Sequence, residues 1–378
     1  MKKNLLLAGV VAAAIVGLRL LANSSPVYAA TPVPRCGLTG SFTPSGLVVV
    51  LPPAASPSQS LDLTSLSNPH ISGAALQVNW RDIEPAQGTF NWSNLDKLFA
   101  AARVSKKWVQ LLIFPGFFSP AWALEGVQTD QFPIPYGPGN GTVAKLPMPW
   151  DEVYLGRWSA FLKRLSERYG ESPEFRVIAA AGPTSVSAEM TLPVTPQDIT
   201  QWRNDSYTPD KYIAAWQKIF GMYAEDFPNQ CVSLSAPGVP ILEPGRNGLN
   251  AHILARQTVV DNASDVLGKR LVLQWSNLTG EAPVKASDEF GFITSFSGHI
   301  ITGLQMRTSA EKSSAIMGAA GNPPLALRKS IDLGMETNAD GLHVNYLEIY
   351  EPDVLASEMQ PVLKYAASLF ASSAMSHP

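Results

Sequence analysis

The fold is decided by the stretch ISGAALQVNW (71–80), read together with the stretch WVQLLIFPG (108–116). Each is a short, largely apolar run, and between them NLDKLFAAARVSKK (94–107) repeats its apolar residues at helical spacing. Buried strands that alternate with helices are typical of a parallel α/β sheet. Similar runs recur along the chain at 46–53, 71–80, 108–116, 175–183, 231–238, 270–277, 299–307 and 342–350.

Eight strand-like runs, with helical patterns between most of them and after the last, match the count of a (β/α)8 barrel. We therefore predict the α/β class, with residues 30–378 forming one TIM-barrel domain. A doubly wound open sheet is the alternative fold. It is disfavoured because the chain has neither a G-x-G-x-x-G turn nor a G-x-x-x-x-G-K motif to hold a nucleotide.

The first 29 residues resemble a secretory signal peptide rather than part of the barrel. Two lysines precede an apolar run (4–18), and small residues at Val27 and Ala29 suit cleavage after Ala29. An uncleaved anchor is the alternative, but Arg19 interrupts the run short of the roughly 18 apolar residues that a membrane span needs. We expect a secreted or periplasmic protein without stable membrane insertion after cleavage.

Composition excludes several classes of function. A net charge of −3 and a pI near 6.0 argue against nucleic-acid binding. The five histidines lie far apart without metal-ligand spacing, and no G-x-S-x-G motif is present. We expect no metal, no cofactor and a monomeric protein. The many aromatic residues weakly favour a carbohydrate partner, because aromatic rings commonly stack on the apolar faces of sugars.

In a barrel of this kind the active site lies at the carboxyl ends of the strands. Polar and aromatic residues that close the apolar runs are therefore candidates for the site. They are Asn79, Trp80, Glu189, Trp275, Asn277, Gln305, Arg307, Glu348 and Tyr350.

The segment between the third run and the next helical pattern (117–150) is unusually long for a βα loop. We expect a functional wall whose aromatic residues line a cleft; a solvated insertion is the alternative. Trp122 in this segment, together with Trp80, Trp202 and Trp275, is a candidate sugar platform, although each could equally belong to the core.

Two stretches carry a resemblance to a known group of enzymes. VNWRDIEPAQGTFNWSNLDKLFAAA (78–102), followed by WVQLLIFPGFFSPAW (108–122), resembles the second and third strands of clan A glycoside hydrolases such as the family-42 β-galactosidases and family-10 xylanases. GPTSVSAEMTLP (182–193) is similar to the β-amylase segment that bears the general acid. TGLQMRTS (302–309) is similar to the segment with their second catalytic glutamate. The resemblance implies a barrel glycosidase with Glu189 as the acid.

The chain departs from these families at two positions. Ala188 stands where clan A enzymes have Asn, and Gln305 stands where both groups have Glu on the seventh strand. Glycoside hydrolysis requires a second carboxylate, and an amide cannot replace it. Glu348 is the best substitute, because strand alternation turns Tyr346, Glu348 and Tyr350 to the inner face. Otherwise Glu348 positions a sugar hydroxyl or Arg307.

Two further glutamates are weaker candidates. Glu351 could be only a first-turn helix charge, and Glu84 matches a structural position of the resembled families. The expected function is thus hydrolysis of a poly- or oligosaccharide by Glu189 and Glu348, with inversion favoured by Gln305. A catalytically impaired carbohydrate-binding barrel is the alternative.

The two cysteines are predicted to form a disulfide. Export would place Cys36 and Cys231 in an oxidising compartment, and a segment before the first strand could cross the lower face of the barrel to reach the fifth. Two buried free thiols are the alternative.

Overall fold

The computed structural model describes residues 34–54, 59–135, 137, 139–184, 186–235, 237–242, 249–281, 289–335 and 344–376. The predicted signal peptide (1–29) lies outside the described residues. In the described part of the chain, no helix is both long enough and apolar enough to span a membrane.

Eight parallel strands form a closed barrel in the order β1-β2-β3-β6-β7-β8-β9-β10, and β10 pairs with β1 to close it. Seven of the eight strands lie within the predicted runs and β8 ends one residue beyond its run, so the predicted TIM barrel is confirmed. Their bounds are β1 Gly46–Leu51, β2 Gly73–Asn79, β3 Trp108–Phe114, β6 Phe175–Ala179, β7 Cys231–Ser235, β8 Leu271–Leu278, β9 Ile301–Met306 and β10 Tyr346–Tyr350.

Helices surround the barrel, and their apolar faces cover the outer face of the strands. In α3, Asp151 caps the first turn by accepting a hydrogen bond from the Tyr154 amide (2.8 Å). The described helices are α1 Trp80–Ile83, α2 Ser93–Ser105, α3 Glu152–Tyr169, α4 Pro196–Asn204, α5 Pro209–Asp226, α6 Leu249–Leu267, α7 Glu289–Thr294, α8 Ala310–Ser313, α9 Pro323–Met335, α10 Glu351–Leu355 and α11 Gln360–Ser376.

The lower end of the barrel is filled by two aromatic side chains. Trp108 opens β3 and Tyr346 opens β10, and their rings meet edge to face at 5.8 Å. Gly303 on β9 makes this possible, because a Cβ at that position would lie 2.2 Å from the Tyr346 ring. The interior is therefore closed at the bottom, and polar groups higher up are reachable only from the carboxyl ends of the strands.

The predicted disulfide is present between Cys36 and Cys231, whose Cα atoms are 5.1 Å apart. Cys231 is the first residue of β7, and the Cys36 amide donates a hydrogen bond to the Asn229 carbonyl (2.9 Å). The segment before β1 thus crosses the lower face of the barrel, as expected from the sequence.

The long segment after β3 contains two short 3₁₀ turns and a hairpin of β4 Thr129–Pro133 and β5 Val143–Pro147. Most of its aromatic rings do not line a cleft, contrary to expectation. Phe117 and Phe118 are buried, and Phe132 stacks on Trp202 of α4 with ring centroids 4.4 Å apart. The hairpin is fixed to the helical layer by this stacking and by a hydrogen bond that Gln201 of α4 donates to Asp130.

Candidate active site

The upper interior of the barrel is polar. Four strands each contribute one inward glutamine: Gln77, Gln110, Gln274 and Gln305. Three of these side chains are almost fully buried, whereas barrels of this type usually fill this layer with Val, Ile and Leu. Burying an amide is costly unless its hydrogen bonds are satisfied, so this layer is expected to serve a polar group.

That polar group is the carboxyl of Glu348. Its exposed fraction is 0%, and it lies opposite Gln305 in the β9–β10 register. Its Oε2 atom accepts hydrogen bonds from Gln274 Nε2 (2.8 Å) and Gln305 Nε2 (2.7 Å). Tyr346 donates to Gln274 Oε1 (2.8 Å), which orients that amide toward the carboxyl. Glu348 thus points inward, as strand alternation predicts.

Burial raises the pKa of Glu348 to about 7. Hydrogen bonds from the glutamine amides favour the ionised form and oppose this rise, whereas the negative charge of Glu189 adds to it. Glu348 is therefore a mixture of neutral and ionised forms near neutral pH.

Two buried oxygen atoms of this layer have no hydrogen-bond partner among the described residues: Glu348 Oε1 and Gln110 Oε1. Gln110 lies within hydrogen-bonding reach of Glu348. The hydrogen bond from Gln110 lowers the pKa of Glu348, so it favours the ionised carboxylate. The amides of three glutamines therefore offset part of the cost of burying this carboxyl.

Glu189 follows β6 and is held beside β7. It forms a one-residue parallel bridge with Ser235, and the Met190 amide donates to the Ser235 carbonyl (3.2 Å). Burial of the carboxyl raises the pKa of Glu189, and the charge of Glu289 raises it further, while hydrogen bonds from Ser276 and Ser187 oppose the rise. The side chain keeps some exposed surface.

Glu189 and Gln305 line a small pocket of about 40 Å3 at the barrel mouth. Glu348 does not line this pocket; the amides of Gln274 and Gln305 separate it from the pocket. The remaining lining comes from the strand ends and the segment before Glu189, at Gln77, Leu112, Phe114, Ala179, Ser187, Ala188, Ser233, Ser235 and Ser276.

Tyr350 is the other predicted residue near the two carboxyls. Burial raises the pKa of its phenol to about 12, and the charges of Glu348 and Glu189 both contribute to the rise. Asn79 closes β2 and donates a hydrogen bond to Asp82 (2.7 Å). Asn277 and Arg307 are exposed, and neither lines the mouth pocket.

The tryptophans predicted as sugar platforms lie mainly in the helical layer. Trp80 has 0% exposure and packs between Trp122 and helix α3, so it belongs to the core and offers no face to a sugar. Trp202 is also fully buried. Trp275 packs against Phe290 of α7 at 5.2 Å. Trp80 and Trp202 thus follow the core alternative that the sequence left open.

Trp122 remains partly exposed, but on the flank of the barrel. It donates a hydrogen bond to the Glu84 carbonyl (3.1 Å) and lines a groove beside α3 rather than the mouth pocket. The buried Glu84 carboxyl accepts from Trp80 Nε1 (3.1 Å) and the Gly88 amide (2.9 Å), a structural role. Glu351 opens α10 and accepts from Ser65 (2.9 Å).

Sequence reasoning missed the inner glutamines at 77, 110 and 274, and the serines of β7 and β8. The available signal was a single polar residue within an otherwise apolar strand, as in WVQLLIF (108–114). Within the described part of the chain, no three His, Cys, Asp or Glu side chains are placed to hold a metal ion.

Comparison with known proteins finds no matching family model and no matching curated protein. Among solved structures, the chain is similar to the GH10 protein of Paenibacillus barcinonensis, with 13% identity, coverage of 81% of this chain and 83% of that chain, and a TM-score of 0.47. It is similar to endo-glycoceramidase II of Rhodococcus sp., with 10% identity, coverages of 85% and 78%, and a TM-score of 0.49. It is also similar to the exo-beta-1,4-mannosidase Op5Man5 of an Opitutaceae bacterium, with 11% identity, coverages of 87% and 60%, and a TM-score of 0.48.

The structural matches thus include a GH10 protein, one of the families that the sequence resembles; the resemblance to family 42 is not tested by them. Similarities at this level of identity and superposition carry no functional argument. The barrel itself is established by its strand pairing.

Proposed function

We propose that this protein is a glycoside hydrolase that cleaves a carbohydrate substrate at the mouth of the barrel. The observation that carries the proposal is a pair of carboxyl groups linked through one side chain: Glu189 lines the mouth pocket with Gln305, and the Gln305 amide donates a hydrogen bond to Glu348 (2.7 Å). Paired carboxyls with raised pKa values at the carboxyl ends of barrel strands suit acid-assisted cleavage of a glycosidic bond.

Glu189 is the proposed general acid. Burial raises its pKa, the direction that a general acid needs, and its remaining exposed surface lets it reach a glycosidic oxygen. Ser276 and Ser187 fix the carboxyl by hydrogen bonds. Proton transfer from Glu189 would release the leaving group as an alcohol.

Glu348 is the proposed second carboxylate. The amides of Gln274 and Gln305 lie between Glu348 and the pocket. Once ionised, Glu348 would stabilise the positive charge that develops on the sugar ring. On β9, the seventh strand of the barrel, the residue that lines the pocket is Gln305. Its amide cannot form a covalent intermediate with the sugar. We therefore propose attack by water with inversion: the water oxygen bonds to the anomeric carbon as the leaving group departs, and the proton that the water loses returns through solvent to the Glu189 carboxylate. The enzyme is proposed to be monomeric and exported.

A non-catalytic carbohydrate-binding barrel is the second candidate. Two observations favour it: Glu348 has no exposed surface, and the pocket presents an amide where a carboxylate would be needed. In that case the glutamine and serine side chains would bind sugar hydroxyls without cleavage.

Release of reducing sugar from a panel of glycans and aryl glycosides separates the two candidates. In the hydrolase, Glu189→Gln should remove most activity on substrates with poor leaving groups and spare activated aryl glycosides, because a good leaving group barely needs protonation. Glu348→Gln should reduce the turnover of both kinds of substrate.

Glu358→Gln, which changes an exposed carboxylate, is the matched control and should keep wild-type turnover. Near-wild-type turnover of Glu348→Gln would reject its catalytic role. Binding of a glycan without cleavage of any substrate by the wild type would favour the binding barrel.

A further inference from the structure

A groove beside Glu189 is almost ten times larger than the mouth pocket. It has a volume of about 390 Å3, against about 40 Å3 for the pocket. One wall comes from the segment after β6 and includes Leu192 and Val194. The other wall comes from the segment after β7 and includes Val239 and Ile241.

The groove begins at Met190, one residue after Glu189. Met190, the next residue, lines the groove, and both Glu189 and Met190 are joined to Ser235 at the end of β7. The opposite wall is the continuation of that same strand. Tyr207 donates a hydrogen bond to the Pro240 carbonyl (2.8 Å), which ties this second wall to the helical layer.

The positive charge of the arginine that lines the groove is neutralised by an ion pair. Arg256 lines it, but its guanidinium is paired with Glu289 at 2.9 Å. The negative charge of Glu289 also raises the pKa of Glu189. The ion pair at the groove therefore lies near the proposed acid. His252 and Thr191 are the other polar side chains of the described lining; the rest is mostly aliphatic and includes no Phe, Tyr or Trp.

A general acid gives its proton to the glycosidic oxygen, so the leaving group lies on the side of the acid. Among its described residues, the groove offers that leaving group aliphatic walls, no Phe, Tyr or Trp ring for sugar stacking and no unpaired Lys or Arg. Such a surface favours a neutral apolar group over a further sugar unit.

We infer that the groove walled by Leu192, Val194 and Ile241 binds an apolar aglycone, so that the substrate is a glycoside of an aromatic or aliphatic alcohol. This inference rests on the proposed function, because the acid assigned to Glu189 defines the leaving-group side. On the leaving-group side, an apolar aglycone replaces the sugar unit that a poly- or oligosaccharide substrate would have there.

Equilibrium dialysis with 4-methylumbelliferone, an apolar aglycone on its own, tests the groove without turnover. Wild type is expected to bind it, and Val194→Asp and Ile241→Asp should each raise the Kd about tenfold by replacing apolar contact with a charge. Val104→Asp is the matched control, because Val104 is exposed on α2, and its Kd should equal that of wild type.

No binding by wild type, or equal Kd values for all variants, would overturn the inference. If a 4-methylumbelliferyl glycoside is cleaved, the two groove variants should raise its KM about tenfold and leave the KM of the methyl glycoside of the same sugar unchanged. Binding in the groove without cleavage of any glycoside would reject the hydrolase alone. Cleavage with unchanged Kd and KM values would reject the groove alone.

Discussion

Replacement of Glu348 by glutamine is expected to make the protein more stable above pH 7. In the folded state the pKa of Glu348 is raised from 4.5 to about 7. Between these values the folded protein holds a proton that the unfolded chain has released, so stability falls as the pH rises through this window. At about 1.4 kcal/mol per unit, the loss is complete above pH 7 and amounts to about 3 kcal/mol.

The geometry around Glu348 suits the amide of the variant. The oxygen of the substituted side chain would accept from Gln274 and Gln305 as Glu348 Oε2 does, and its NH2 group would replace Glu348 Oε1, which has no hydrogen-bond partner among the described residues. Glu348→Gln should therefore gain up to about 3 kcal/mol over wild type at pH 8.5 and almost nothing at pH 4.5.

Urea unfolding of both proteins at pH 4.5, 7 and 8.5 measures this difference. Glu84→Gln is the contrasting control, because both of its carboxyl oxygens accept hydrogen bonds, from Trp80 and Gly88. An amide nitrogen at Glu84 would face a donor, and the variant should lose about 1 to 3 kcal/mol. A Glu348→Gln protein that is less stable than wild type at pH 8.5, or a difference independent of pH, would refute the reasoning.

Two further predictions concern the lower end of the barrel. Cys36→Ala should lower the free energy of unfolding by roughly 5 kcal/mol, because the disulfide closes a loop of 195 residues; a loss under 1 kcal/mol in urea unfolding would contradict this. Gly303→Ala should lose about 1 to 3 kcal/mol or more, because the added methyl overlaps the buried Tyr346 ring. Gly156→Ala on helix α3 is the control, because its added methyl meets no atom within 4 Å, and it should gain up to about 1 kcal/mol in the same assay. Similar losses for both variants would argue against the overlap with Tyr346.

The strands were predictable because a parallel barrel buries both faces of each strand and so leaves near-continuous apolar runs. The ends were less predictable: the run 175–183 predicts a strand past Ala179, where β6 already ends. The hairpin inside the long segment was missed, because β4 and β5 are short and pack on α4 rather than in the barrel.

The inward direction of the Glu348 side chain could be predicted from the alternation of residues along a strand. How deep it lies inside the barrel could not. Depth depends on the stagger between neighbouring strands, which sets Glu348 opposite Gln305 and behind its amide. The burial of Trp80 was equally hidden, because its indole turns outward only when helix α1 starts directly after β2. Neither the stagger nor this direct junction can be read from composition.

The pairing that closes the barrel joins residues far apart in the sequence. Gly46 of β1 lies in register with Tyr346 of β10, 300 positions later. At about 5 to 20 residues per second, a ribosome needs roughly 15 to 60 s to add that length of chain. Throughout that time β1 lacks one of its two neighbours, and an apolar edge open on one side invites association with other chains. The nascent protein must therefore be kept apart from its copies until its last strand is made.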